Sequence, residues 1–266
     1  MKTTYYLLLS LTTFLYSSCE EVIDLNLDSA GPRTVIEANL NDLSSDQTIR
    51  VSKTIAFGVN GRNTPIEDAA VVVRSSAKEE ILFTYDRDGY YRAKNFVVKP
   101  GITYFLDVKS EGVNYVSQSQ MPEYVAIDSL GITKEKVFNE ERFYPTFTFN
   151  DPVGIKNHYL YEIAIKGSPI RFASTYNDKF NDGKYVTHEI SDRIIDLELN
   201  DEVKVIRYCI DANVYQYWSD FQSANPGGAA PGNPTSNISN NALGYFSVAS
   251  AKEHEFITSV YMEKYK

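Results

Sequence analysis

The chain has 266 residues, 43% hydrophobic and 23% charged, which is enough apolar material for a packed core and too short for a large multidomain enzyme. A net charge of −9 argues against nucleic acid as a partner, because binding a phosphate backbone requires a basic surface that releases counterions. Two cysteines, Cys19 and Cys209, stand far apart and form neither a disulfide framework nor a cysteine-rich zinc pattern.

Lys2 precedes an apolar stretch from Tyr5 to Tyr16 that carries Leu7, Leu8, Leu9, Leu11, Phe14 and Leu15. It is shorter than the roughly 20 residues of a membrane-spanning helix and reads as the hydrophobic region of a secretory signal. Ser17-Ser18-Cys19 follows, placing small residues directly before a cysteine. This resembles a bacterial lipobox, although Tyr16 stands where Leu is usual. The resemblance implies a lipoprotein signal peptide over residues 1–18 and acylation of Cys19; the alternative is an ordinary signal followed by a core cysteine. Glu20, Glu21 and Asp24, with Asp28 beyond, form an acidic run directly after it. That run resembles the surface-export signal of Bacteroidota lipoproteins, and it also fits a solvated acidic tether over residues 19–32. Both readings keep the body of the protein outside the cytoplasm.

From Arg33 the pattern is β. Thr34 to Ala38 is short and β-branched, and Thr48 to Ile55 alternates with Ile49, Val51 and Ile55 on one side, the period-two signature of a half-buried strand. Phe57 to Thr64, with Gly58, Gly61 and two Asn, reads as a loop. Pro65 through Val73 follows, then Asp86-Arg87-Asp88-Gly89-Tyr90-Tyr91-Arg92, and then Pro100-Gly101 opening a strand to Val108. Asp88-Gly89 supplies the positive φ of a tight hairpin, and Pro100-Gly101 punctuates a strand start. Val113 to Gln120 completes the module and Met121-Pro122 closes it. This succession resembles the carboxypeptidase-regulatory, transthyretin-like β-sandwich, which implies a first module over residues 33–122.

A second module is expected over residues 123–266. In Arg142 to Asn150, Phe143, Phe147 and Phe149 share a face opposite Tyr144, Thr146 and Thr148. In His158 to Ile165, Tyr159, Tyr161 and Ile163 oppose Leu160, Glu162 and Ala164. Glu202 to Ile210 is another strand, placing Val203, Val205 and Cys209 together. A helix is predicted near residues 213–221, where Val214, Tyr217, Trp218 and Phe221 recur at helical spacing, with Asp211 or Asn213 as its cap. The Gly/Pro/Asn-rich stretch 225–241 reads as a long loop, functional or mobile, and Phe256 to Met262 as a closing strand. The predicted class is all-β: two β-sandwich modules, the second with one short helix and long loops.

Signatures of common chemistries are missing. His158, His188 and His254 form no spaced metal pair and read as strand or surface residues. No Gly-x-Ser-x-Gly elbow, Walker loop or Gly-x-Gly-x-x-Gly turn occurs. Asp86-Arg87-Asp88-Gly89 departs from a calcium loop in its glycine position and in Val97 at the twelfth place, and reads as a turn. Asn177-Asp178-Lys179-Phe180-Asn181-Asp182-Gly183 offers more oxygen donors for Ca²⁺, and a turn is again the preferred reading. No metal, cofactor or catalytic residue is assigned, and Cys209 is expected to be a buried thiol. The aromatics of the helix admit two readings: packing, or a surface for a protein or glycan with Tyr215 and Trp218 at its centre.

The chain after Cys19 as a whole resembles a family of Bacteroidota outer-membrane lipoproteins of unknown function that accompany TonB-dependent receptors. Its carriers begin with Cys19 through Leu25, Pro65 through Val73, Asp88-Gly89-Tyr90-Tyr91, and Met121-Pro122 with Ile127-Asp128-Ser129-Leu130. They continue with Phe149-Asn150-Asp151-Pro152, Asn177 through Gly183, Tyr217-Trp218, and Asn233 through Asn240 with Ala242 through Phe246. The resemblance implies location and company. The expected protein is a non-enzymatic accessory lipoprotein of the outer membrane, facing the cell surface or the periplasm, docked on a TonB-dependent receptor whose ligand it helps to capture or gate. The alternative is a free-standing surface lipoprotein that binds glycan or peptide; neither reading names the ligand.

Overall fold

The computed structural model describes residues 31–55, 61–192, 195–224 and 232–263. The described residues from Pro32 onward belong to a single unit. The alternation in its first strands decides the first core. β1 (Thr34–Asn41) pairs antiparallel with β2 (Gln47–Lys53), which turns Ile36, Ala38, Leu40, Ile49 and Val51 into one interior. A two-residue strand, β3 (Thr64–Pro65), flanks β2. Then come β4 (Ala70–Ser75), β5 (Glu80–Arg87), β6 (Tyr90–Ala93), β7 (Thr103–Ser110) and β8 (Val113–Gln120). Asp88 and Gly89 in the β5–β6 turn have φ of +50° and +79°, the backbone that a two-residue hairpin demands.

β5 pairs with β4 through Glu80–Phe83 and with β6 from Thr84 on. By changing partners it folds the sheet over itself. The layers built on β1-β2-β6 and on β4-β7-β8 enclose Val71, Phe83, Tyr91, Tyr104, Leu106 and Val108.

The second sandwich sets a three-stranded sheet, β9 (Ser129–Val137), β10 (Glu140–Asn150) and β13 (Tyr185–Glu189), against a second layer. That layer holds β11 (His158–Ile165), β12 (Arg171–Asn177), β14 (Glu202–Cys209) and the end of β15 (Leu243–Ile257). Phe147, Phe149, Tyr159, Tyr161, Ile163, Val203, Val205 and Cys209 fill the space between them. Tyr144, read from the sequence as facing away from Phe147, is buried with it in the same core, so β10 is not covered on one side alone. Leu160 faces the other way and joins Ile206, Tyr208 and Val214 beneath helix α1 (Ala212–Ala224). Asp211 caps that helix, its Oδ1 accepting the amides of Asn213 and Val214 at 2.8 and 3.0 Å. Both faces of β11 are therefore covered, in the opposition its sequence foretells.

The end of the chain departs from expectation. Phe256–Met262 is not one strand: β15 stops at Ile257, and Ser259–Met262 forms a short helix, α2, that buries Met262 in the second core. The first half of β15 pairs in parallel with β1, from Val35 opposite Leu243 to Asn41 opposite Ala249. Its second half pairs antiparallel with β14, from Ser250 opposite Cys209 onward. Phe246 and Val248 thus belong to the first core. The division at 122/123 separates most of the two cores but not the sheets, because one hydrogen-bonded path of eleven strands, with β3 beside it, runs through both.

Residues 232–241 are bound to the first sandwich rather than free of it. The Asn237 side chain grips the Phe246 backbone, Nδ2 donating to its O at 2.7 Å and Oδ1 accepting its amide at 2.9 Å. Ser239 N donates to Val116 O at 2.9 Å, and Asn240 Nδ2 to Asn114 O at 2.7 Å. The Asn233–Asn240 block is a clasp on β8.

Candidate functional site

At one end of the second sandwich β10 runs out at Asn150, and Asp151-Pro152 leads the chain out of the sheet; proline has no N–H to continue the ladder. Asp151 is only 5% exposed, and its amide donates to Lys184 O at 2.9 Å. The β12–β13 connection forms the facing wall. There Asp178 is 8% exposed, and its carbonyl accepts the amides of Asn181 and Asp182 at 2.7 and 3.0 Å, closing the expected turn. Gly183 takes φ +69°, and a Cβ on it would lie 2.5 Å from Val153 Cγ2. The two loops meet where only glycine fits.

One oxygen from each of Asp151, Asp178 and Asp182 lies within 4.8 Å of the others, the grouping with metal-ligand spacing found among the described residues. Each carboxylate is aimed by one protein donor. Tyr159 Oη donates to Asp151 Oδ1 at 2.7 Å, Asn157 N to Asp178 Oδ2 at 2.8 Å, and Gly154 N to Asp182 Oδ1 at 2.7 Å. Asp151 Oδ2 is buried without a hydrogen-bond partner. Burial pushes the Asp151 carboxyl above the usual range and the Tyr159 hydroxyl opposes it. The charge of Asp178 raises it further, the Gly183 amide offsets part of the rise, and Asp182 adds a smaller one.

Tyr159 connects this cluster to the core. The Arg207 guanidinium is fully buried, 4.4 Å from the ring centroids of both Phe149 and Tyr159. Its Nε donates to Tyr161 Oη at 3.0 Å, and a terminal nitrogen donates to Val125 O. Aromatic faces, rather than a carboxylate, stabilise the charge. His188 stacks on Tyr176 with centroids 4.0 Å apart, and its Nδ1 lies 3.0 Å from Tyr161 Oη. Burial, and then the charge of Arg207, pull its pKa down to about 3, so the ring is neutral. Cys209 Sγ accepts the Val125 amide at 3.4 Å, and burial pushes its thiol up. His158 packs on Tyr215, and His254 Nε2 lies 3.3 Å from Tyr124 Oη. All three histidines are strand residues used in packing, as the sequence suggests.

A family model described as Domain of unknown function (DUF4249) matches residues 20–255. The chain belongs to this family. No curated protein matches it. The DUF4249 match begins beside Cys19 and ends within β15, so it takes in both sandwiches, α1 and the acidic cluster. In this DUF4249 protein, Cys19, Glu20, Glu21 and Asp24 lie outside the described residues. Trp218 is half-buried on α1; its indole stacks on Phe172 at 4.9 Å and 11°, with edges against Tyr217, Phe221 and Tyr245. Tyr215 Oη accepts Asn177 Nδ2 at 2.6 Å. Both rings fasten α1 to the sheet.

Two DUF4249 residues of this site escape a sequence reading in different ways. Arg207 shares period-two parity with Val203, Val205 and Cys209, so a charge on the inward face is a usable signal. Asp151 meets Asp178 and Asp182 only through the packing of two distant loops, which local spacing does not carry.

Proposed function

We infer that this protein is a non-catalytic accessory lipoprotein of the outer membrane in Bacteroidota, anchored through an acylated Cys19. It docks on a TonB-dependent receptor and assists capture or gating of the receptor's ligand. The observation that carries the reading is the order of segments at the start of the chain: Lys2, the apolar stretch Tyr5–Tyr16, Ser17-Ser18-Cys19, and Glu20-Glu21. Such an arrangement suits a signal that ends at a lipid attachment point, and two or more acyl chains at about 0.8 kcal/mol per buried methylene make anchoring stable. No helix among the described residues is long and apolar enough to cross a membrane.

The body of the protein is consistent with a scaffold. Its described histidines, its buried thiol and Arg207 are committed to packing. A free-standing glycan- or peptide-binding protein would use the aromatics of α1 as its platform. Trp218 and Tyr215 are engaged against Phe172 and Asn177, which favours the docking reading.

Feeding cells an alkyne fatty acid tests the anchor. Label should appear on the wild-type chain and on Cys209→Ala, and should vanish from Cys19→Ala. An unlabelled wild type, or label that survives Cys19→Ala, contradicts the reading.

A further inference from the structure

The loops that leave β10 and join β12 to β13 bring Asp151 together with Asp178 and Asp182, which share one turn distant from it in sequence. Two of them, Asp151 and Asp178, are 5% and 8% exposed, so their charges are withdrawn from water. Burying an ionised carboxylate is costly unless it is paired. No ion pair among the described residues reaches Asp151, Asp178 or Asp182; Lys134, Lys166, Arg171 and Lys204 pair with other acids, and Lys184, in the same connection, donates to Phe180 O. Asp151 Oδ2, more than any other atom of the cluster, lacks a partner: it is inaccessible to water and accepts no hydrogen bond.

We propose that Asp151, Asp178 and Asp182 form a binding site for a hard divalent cation, Ca²⁺, that fastens the two loops at this end of the second sandwich. Oxygens bound to one Ca²⁺ at about 2.3–2.6 Å lie at most about 5 Å apart, and the three carboxylates offer oxygens within 4.8 Å of one another. The hydrogen bonds from Tyr159, Asn157 and Gly154 each hold one carboxylate oxygen, and Asp151 Oδ2 has no partner within the protein. A ligand set made only of oxygen suits Ca²⁺ and disfavours Zn²⁺, which prefers nitrogen and sulfur. Asp182 is exposed, so the remaining coordination positions open to water, which the flexible shell of Ca²⁺ accepts. Mg²⁺ demands a tighter octahedron and gives up its own water reluctantly. The site is independent of whether the protein docks on a receptor.

The test is calorimetric titration of CaCl₂ into the full chain, solubilised in detergent and stripped with EDTA, with thermal unfolding measured in parallel. One Ca²⁺ per chain and a rise in Tm are expected. Asp182→Asn keeps an acceptor for the Gly154 amide while removing a charge, and should weaken binding about tenfold or more without lowering the Tm of the EDTA-treated protein. Asp151→Asn should abolish binding; if it fails to fold, Asp182→Asn still decides the matter. Absence of binding up to about 10 mM Ca²⁺, well above the weakest extracellular sites, overturns the proposal. So does undiminished binding in Asp182→Asn, or an equal rise in Tm with Mg²⁺.

Discussion

Gly244 offers the sharpest test of how the end of the chain completes the first sandwich. It lies opposite Ile36 in the parallel β1–β15 pairing, with φ +88°. A Cβ at that position would stand 2.0 Å from Ile36 O and 2.8 Å from Ile36 C. These are backbone atoms of a strand held on its other side by β2, so no side chain can swing aside to make room. The left-handed backbone alone costs Ala about 1–2 kcal/mol. Separating β1 from β15 also loosens Ile36, Phe246 and Val248, all fully buried, and full burial of one such side chain is worth about 1.5–3 kcal/mol. Gly244→Ala should therefore lose about 4 kcal/mol. The control is Gly101→Ala, at φ +77° with no atom within 4 Å of the added Cβ, which should show only the backbone cost. Urea unfolding of both variants, followed by circular dichroism, measures the difference. Equal losses in the two variants would refute the idea that β15 closes directly on β1.

Trp218→Ala should cost about 3–5 kcal/mol, as expected for deleting a large packed aromatic, because the indole stacks on Phe172 and braces Tyr245. A thermal melt matching wild type would show that the ring does not hold α1 in place. His188 gives stability a pH dependence. The unfolded ring takes up a proton below its ordinary 6.5, whereas the folded ring resists until about 3. Stability should therefore fall as pH drops through that window, by up to about 1.4 kcal/mol per pH unit. His188→Gln should flatten the slope, and identical slopes in the two proteins would show that the folded ring titrates normally.

The all-β class is legible because half-buried strands alternate, as in β2, and because β11 separates Tyr159, Tyr161 and Ile163 from Leu160. The hairpin at Asp88-Gly89 and the Asp211 cap are legible for local reasons, since turn and cap chemistry depends on a few adjacent residues. β15 is not. Residues 246–251 are buried on both faces, so Phe246-Ser247-Val248-Ala249-Ser250-Ala251 shows no period. Its pairing with β1 also joins opposite ends of the described chain. The candidate site divides in the same way. Asn177–Gly183 announces an oxygen-rich turn, while its partner Asp151 is supplied by a distant strand end. Asp151 and the turn both lie within the stretch matched by the DUF4249 family model. Arg207 stood in view at an inward position and is explained only by the four aromatic rings the fold places around it.

The most direct test of the accessory-lipoprotein reading is affinity purification of the tagged native protein from gently solubilised outer membranes. A TonB-dependent barrel is expected to copurify with the wild-type chain and to be lost with Cys19→Ala. Repeated recovery of the intact, acylated protein with no barrel would contradict the reading.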